Sequence, residues 1–286
     1  MTTDSLISDV SDTARWVAIY RAMETERPDA LFHDPFARRL AGEKGEAIVN
    51  NMKDGRKIAW PMILRTFLMD EIIMREITQG ADTVLNLAAG LDARAYRMAL
   101  PDSLHWIDVD QPRMVQYKAD QMKNEHPLCQ YETVPLDLAD ADARRALFAR
   151  VNAGARRVLV ISEGLLIYLT AEQVAGLADD LHAQPNFQHW LSDLASPGLL
   201  KMMGKSWGAA VAAGNAPFQF GPADGPRFFS KHGFRELEWR SFFDEGIRLN
   251  RTFRFARLFR LLGALSSAKR KEQFRYFSGV MLLGRS

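Results

Sequence analysis

Two rhythms of apolar and polar positions alternate along the chain. Short apolar runs begin at Val84, Leu104, Gln130, Val158 and Phe187, and read as strands. Between them, residues 113–125, 141–151 and 171–181 carry apolar side chains at helical spacing, with Thr170 standing where a helix N-cap belongs. Strand and helix trading places at this period predicts right-handed crossovers and a parallel sheet.

The flanks follow other patterns. Residues 11–26 form a helix with Trp16, Ile19, Tyr20 and Met23 on one face, and Asp34-Pro35 opens a short second helix carrying Phe36 and Leu40 inward. Gly42 to Gly55 reads as a polar, mobile connection, and 58–78 as a longer helix closed by Gly80. After the fifth strand, Pro197 to Pro226 holds Met202, Met203, Trp207 and many glycines and prolines, the composition of a cap over a pocket. A helix at 228–233, a strand at 234–240 and a final strand at 274–283 complete the pattern. The chain divides into an N-terminal helical extension (1–80), a core (81–195) and a cap or substrate segment with the last two strands (196–286), one domain overall.

The chemistry gathers at strand ends. The first strand runs into Ala88-Ala89-Gly90, small residues where the main chain turns and a flat ligand approaches closely. The dinucleotide fingerprint G-x-G-x-x-G is absent, so this turn alone decides little. About twenty residues on, the second strand ends in Asp108 and Asp110, either of which suits a pair of ribose hydroxyls. The third ends at Asp137-Leu138, where a side chain and a backbone N–H can read an adenine edge, and the fourth meets Glu163. Four polar ends on one sheet rim converge on a single crevice.

In this order, Asp12-Thr13-Ala14, Tyr20-Arg21-Ala22-Met23-Glu24, Asp34-Pro35-Phe36-Ala37, Arg65-Thr66, Gly90-Leu91-Asp92-Ala93-Arg94, Val109-Asp110-Gln111-Pro112, Asp137-Leu138 and Glu163-Gly164 resemble the class I S-adenosylmethionine-dependent methyltransferases of the leucine carboxyl and polyketide O-methyltransferase group. The resemblance covers residues 10 to 170. It implies an α/β, Rossmann-like, seven-stranded, mostly parallel sheet with helices on both faces, and the last two strands antiparallel to part of it. It implies S-adenosyl-L-methionine as cofactor, held by Arg21, Arg65, Asn86, Ala88, Gly90, Asp108, Asp110, Asp137, Leu138 and Glu163. Arg65, with Arg21 or Arg15, would reach the methionine carboxylate. Ala88 departs from the family, which has a glycine there, and predicts a slightly tighter fit.

The expected reaction is methyl transfer to a carboxylate or phenolic oxygen of a small aromatic or polyketide-like acceptor, with a protein C-terminal carboxylate as an alternative. A nicotinamide-dependent oxidoreductase and a non-catalytic nucleotide-binding protein are the rivals from other classes. A carboxylate needs no general base, and His105, His126, His182, His189 and His232 sit in or beside structural elements. No catalytic residue is assigned; Tyr168, just past Glu163, reads either as a packed core tyrosine or as a side chain that orients an acceptor oxygen.

Composition changes little. A hydrophobic fraction of 47% supports a sizeable core, and Cys129, the single cysteine, excludes an internal disulfide and a thiolate metal site. No leader pattern or membrane-length apolar run is evident, so a cytoplasmic protein without integral membrane association is expected, and no metal or nucleic acid is called for. Arg248, Arg251, Arg254, Arg257 and Arg260 alternate with Phe253, Phe255, Leu258, Phe259, Leu261 and Leu262, which reads as one basic amphipathic helix. A solvated arginine face, a lid over an acidic aromatic substrate, and a surface for membrane or nucleic acid compete there.

Overall fold

Thr83–Leu87 (β1) is buried along its whole length because a parallel strand pairs with each of its edges and helices cover both faces. A strand so enclosed takes continuous apolar residues, and only Asn86 interrupts the run beyond Thr83. In this computed structural model residues 11–52, 55–213, 217–264, 267, 272 and 274–286 are described, the side chains at 11, 57–58, 206–213 and 261–264 excepted.

The described strands form one seven-stranded sheet in the order β3-β2-β1-β4-β5-β7-β6. His105–Asp110 (β2), Gln130–Pro135 (β3), Val158–Ser162 (β4) and Phe187–Ala195 (β5) run parallel to β1. Ser278–Arg285 (β7) inserts antiparallel between β5 and Phe234–Ser241 (β6). Only β7 is therefore reversed. Both last strands pair antiparallel with part of the sheet, as expected, and β6, antiparallel to β7, regains the direction of β5. Chain order reverses between β1 and β4, which leaves a crevice at their carboxyl ends.

Helices α1 (Ser11–Thr25), α2 (Ala37–Asn51) and α3 (Trp60–Thr78) precede the sheet. Leu64, Leu68, Ile72 and Ile73 of α3 pack on Val84, Trp106, Leu159 and Ile161, which lays α3 across one sheet face and carries Arg65 to the strand ends. The other face packs Leu85, Leu87, Ile107 and Val160 against Phe148 of α6 (Ala141–Gly154) and Leu177 of α7 (Ala171–His182). Thr170 and Gln173 form a reciprocal capping box at the start of α7. Between these lie the single turn α4 (Arg94–Arg97) and α5 (Pro112–Met122).

Three segments differ from the sequence reading. Gly42 to Gly55 is largely helix, because Gly42 takes φ 62 and ψ −177, breaks α2 and lets it resume with Ile48 and Val49 buried. Pro197–Ala213 is one long helix, α8, although the side chain of Trp207 and residues 214–216 lie outside the described residues. The basic segment is two helices, α9 (Phe242–Arg248) and α10 (Ala256–Ala264). Asn250 sits at φ 54 between them, and Arg251 turns inward to a buried pair with Glu24, 3.0 Å away, which a continuous helix would forbid. Leu261 and Leu262 lie in α10, with side chains outside the described residues. No described helix is long and apolar enough to cross a membrane.

Candidate functional site

A cavity of about 1340 Å³ opens at the carboxyl ends of β1, β2, β4 and β5. It exceeds the usual range for one drug-sized ligand, roughly 300 to 1,000 Å³, and so has room for two molecules. Its floor is the turn after β1, where Ala88 and Gly90 take φ of 52 and 53. Glycine adopts this left-handed backbone freely, but alanine there costs on the order of 1 to 2 kcal/mol. The consequence of Ala88 is thus conformational strain at the cavity floor.

Arg21, Arg65, Asn86 and Ala88 line this cavity, as do Asp110, Asp137, Leu138, Glu163 and Tyr168. Asp108 and Gly90 do not, and face a smaller neighbouring space instead. Asp108 is consumed as a structural anchor, accepting from Lys118 Nζ at 2.6 Å, Trp106 Nε1 at 2.8 Å, Tyr131 Oη at 2.7 Å and Asn86 Nδ2 at 3.0 Å. Asp110, two residues further along the same strand face, emerges at the rim. Its oxygens accept from the backbone N–H of Gly90 at 2.6 Å and of Gln111 at 2.7 Å. Burial pushes the Asp110 carboxyl above its usual range, although those two donors pull against it.

The wall beside β4 is an ion network. Glu163 accepts from Arg65 Nε at 2.9 Å and from Arg94 Nη1 at 2.7 Å. Arg65 continues to Asp193 at 3.2 Å, and Arg94 to Asp92 and Asp70, both at 2.6 Å. Arg97 also holds Asp70, while Arg21 pairs with Asp34 at 2.8 Å and donates to the Leu91 carbonyl. Five carboxylates thus meet four guanidiniums, leaving negative charge over. Burial alone would raise the Glu163 carboxyl, but Arg94 and Arg65 outweigh it and hold it below its usual range. Asp92 follows the same logic, with Arg94, Lys118 and Arg97 prevailing over burial. Arg21 Nη1 and Arg65 Nη2 have no hydrogen-bond partner among the described residues.

Gly164, at φ 66, lets Arg65 lie close; a Cβ there would stand 3.1 Å from Arg65 Nη1. Asp193 Oδ1 accepts from the Gly164 N–H at 2.6 Å, so β5 and the turn after β4 are tied at the same point. Sequence reasoning gave no role to Asp193, Arg94, Asp92 or Asp70. The acid-x-arginine pair directly after the small-residue turn was the available signal for Asp92 and Arg94.

The other end of the cavity is apolar. Met202, Met203, Phe218, Phe243, Phe253 and Phe259 line it, and Tyr168 stands between the two ends with its ring 5.8 Å from that of Phe218. Burial pushes the Tyr168 hydroxyl up, so at neutral pH it is a hydrogen-bond donor. No histidine lines the cavity among the described residues. His189 and His232 are engaged elsewhere, with Glu76 at 2.5 Å and Asp179 at 2.7 Å. Arg15, the third arginine considered, binds Tyr117 Oη at 2.7 Å and the Ala41 carbonyl at 3.2 Å. Among the described residues no cluster of side chains suits a metal ion. The polar end can hold a ligand with a cationic centre and a diol, and the apolar end a second, hydrophobic one.

The leucine carboxyl methyltransferase family pattern matches residues 14–182. A Streptomyces coelicolor protein named "Putative S-adenosyl-L-methionine-dependent methyltransferase" is 35% identical over 177 residues, 58% of this chain and 62% of that protein. A Frankia alni protein of the same description is 34% identical over 187 residues, 62% of this chain and 65% of that one. The matches thus span just under two thirds of these relatives' lengths. Two crystal structures share the fold at low identity. They are a DUF574 family protein from Streptomyces avermitilis (TM-score 0.61, 12% identity, 96% of this chain and 97% of that one) and a "putative methyltransferase" from Thermobifida fusca (TM-score 0.59, 11% identity, 99% and 97%). The family pattern covers more than half of the chain, including the ends of β1, β2 and β4 and the turn after β1, and the protein belongs to the leucine carboxyl methyltransferase family.

Proposed function

We propose that this protein is an S-adenosylmethionine-dependent O-methyltransferase that esterifies the carboxylate of an apolar small molecule. One observation carries the reading: a single cavity joins a charged, strand-end cradle to an apolar chamber that no described histidine lines. In this reading Asp110 accepts the ribose hydroxyls, and Asp137 with the Leu138 region reads the adenine edge. The left-handed turn at Ala88 and Gly90 brings the main chain close beneath, with Asn86 fixed at its edge by Asp92 and Asp108. Arg65 and Arg21 turn their unbonded guanidinium nitrogens to the amino-acid carboxylate. The surplus negative charge around Glu163, Asp92 and Asp193 favours a cationic ligand.

When bound, the cofactor supplies a sulfonium-activated methyl group for an oxygen lone pair held in line with the sulfur. The protein's part is positioning and exclusion of water. Tyr168, kept protonated by burial, donates to the acceptor carboxylate and aims its free lone pair. A phenol would need a base to take its proton, a role that in the described lining would fall to a carboxylate such as Asp244 and not to a histidine.

Thermal unfolding with S-adenosylmethionine, S-adenosylhomocysteine and reduced nicotinamide dinucleotides tests the cofactor, because a ligand of the folded state raises the midpoint. A rise with nicotinamide alone refutes the reading. Transfer of labelled methyl to a panel of aromatic acids, phenols and a peptide ending in leucine tests the acceptor. An ester releases its label under mild alkali; an alkali-stable product means a phenol ether and overturns the carboxylate assignment.

A further inference from the structure

Around the cavity mouth, apolar side chains continue outward beyond the cavity lining. Phe255, Leu258 and Phe259 of the α10 segment are 58%, 54% and 59% exposed and recur at i, i+3 and i+4, so they form one outward stripe beside buried Ala256. Phe253, Phe274 and Met202 are also exposed, and they line the mouth together with Phe259. Six large apolar side chains, each presenting on the order of 100 Å², approach the largest patch a typical monomer shows, roughly 300 to 600 Å². The rings of Phe243, Phe253 and Phe259 lie in sequence 6.1 and 5.6 Å apart, which continues this patch into the chamber.

Charge along the α10 segment is of one sign. Residues 251–264 hold four arginines and no acid. Arg251 is spent on Glu24, but Arg254, Arg257 and Arg260 meet no carboxylate among the described residues; Arg254 lies over the Phe255 ring and Arg257 reaches Asn250. Elsewhere on the surface arginines are commonly paired, as Arg38 is with Glu26 and Arg156 with Asp82. An apolar stripe flanked by unpaired arginines is the chemistry of a helix lying in the headgroup region of an anionic bilayer.

We propose that α10 and the cavity rim dock on an anionic lipid surface. There the mouth faces the bilayer, and an apolar acid dissolved in it enters the chamber without crossing water. The delivery role rests on the acceptor reading above; the docking does not. A second copy of the chain fits poorly, because its own arginines would face these. A nucleic acid leaves the apolar stripe without a partner.

Sedimentation of the full chain with vesicles tests this, using phosphatidylcholine alone and phosphatidylcholine with phosphatidylglycerol, at low and high salt. Binding is expected to the anionic vesicles only and to be lost in high salt. R254Q/R257Q removes two charges outside the cavity lining and should weaken partition roughly 30-fold, at about fivefold per arginine. F255S/L258S, also outside the lining, should weaken it at unchanged charge. Both variants should keep the thermal shift with S-adenosylmethionine, so loss of docking is separable from loss of the cofactor reading. No binding to anionic vesicles, equal binding by either variant, a dimer dissolved by F255S/L258S, or retention on RNA in place of vesicles would each overturn the proposal.

Discussion

Replacing Glu163 with glutamine tests whether the ion network is a stabilising element or a burden carried for function. The isosteric amide leaves the space filled. Glu163 accepts two charge-assisted bonds, from Arg65 at 2.9 Å and Arg94 at 2.7 Å, and an amide can accept only one of them. Its NH2 group then confronts a guanidinium. Removing one member of a buried pair can cost about 3 to 5 kcal/mol when the partner is stranded. Here Arg65 keeps Asp193, and Arg94 keeps Asp92 and Asp70. The loss is therefore nearer that of one hydrogen bond to a charged group, about 2 kcal/mol.

The sign follows from the carboxyl itself. Burial and the nearby Asp92 oppose its charge, yet its pKa stays below the ordinary value of 4.5, so the fold favours the ionised form. A carboxyl depressed in the folded state contributes stability that is present above its unfolded pKa and is lost as pH falls through the folded one. Urea unfolding of the cofactor-free protein should show E163Q less stable by about 2 kcal/mol at pH 7, with the gap closing below pH 4.5. Equal stability at neutral pH, or a gap that persists in acid, would refute the reasoning.

Four further outcomes are expected. Asp110→Asn should weaken S-adenosylmethionine binding by about 1.5 to 3 kcal/mol in calorimetry, since charge-assisted bonds to the diol are lost. Because the Asp110 carboxyl is raised in the free protein, wild-type affinity should fall with pH from above the ordinary aspartate value of 3.8, while the asparagine variant stays flat through that window. Arg65→Lys, which keeps the charge and loses the fork, should weaken S-adenosylmethionine more than methylthioadenosine, which lacks the carboxylate; equal losses would make Arg65 structural. Ala88→Gly should raise the unfolding free energy by about 0.5 to 1 kcal/mol, left-handed strain relieved less the added chain entropy; a lower stability in urea would show that the methyl packs usefully.

The central sheet was legible because burial on two faces writes itself as apolar runs, and because Thr170, Gly80 and the 88–90 turn mark boundaries that backbone chemistry enforces. Asp110 was legible by its distance from the turn. Its separation from Asp108 was not, since the two share a strand face and differ only in depth: Lys118 and Tyr131 reach the deeper one first. The Arg94 network was hidden for a different reason. Its partners Asp70 and Glu163 are 24 and 69 residues away, and no local period announces such a pairing. Gly42 and Asn250 misled in opposite directions, one allowing a helix to resume after a break and the other breaking a pattern that looked continuous.

The insertion of β7 between β5 and β6 has a consequence for synthesis. As the chain leaves the ribosome, β5 has an open edge from its emergence until residues 278–285 follow, with β6 waiting beside a gap. Leu191 must wait for Leu282, and Trp190 for Leu283. The nascent protein thus carries an apolar strand with one unpaired edge through the making of some eighty residues, a window in which strand-to-strand aggregation competes with folding. Shortening the chain by one strand would not trim an edge; it would leave that window permanently open.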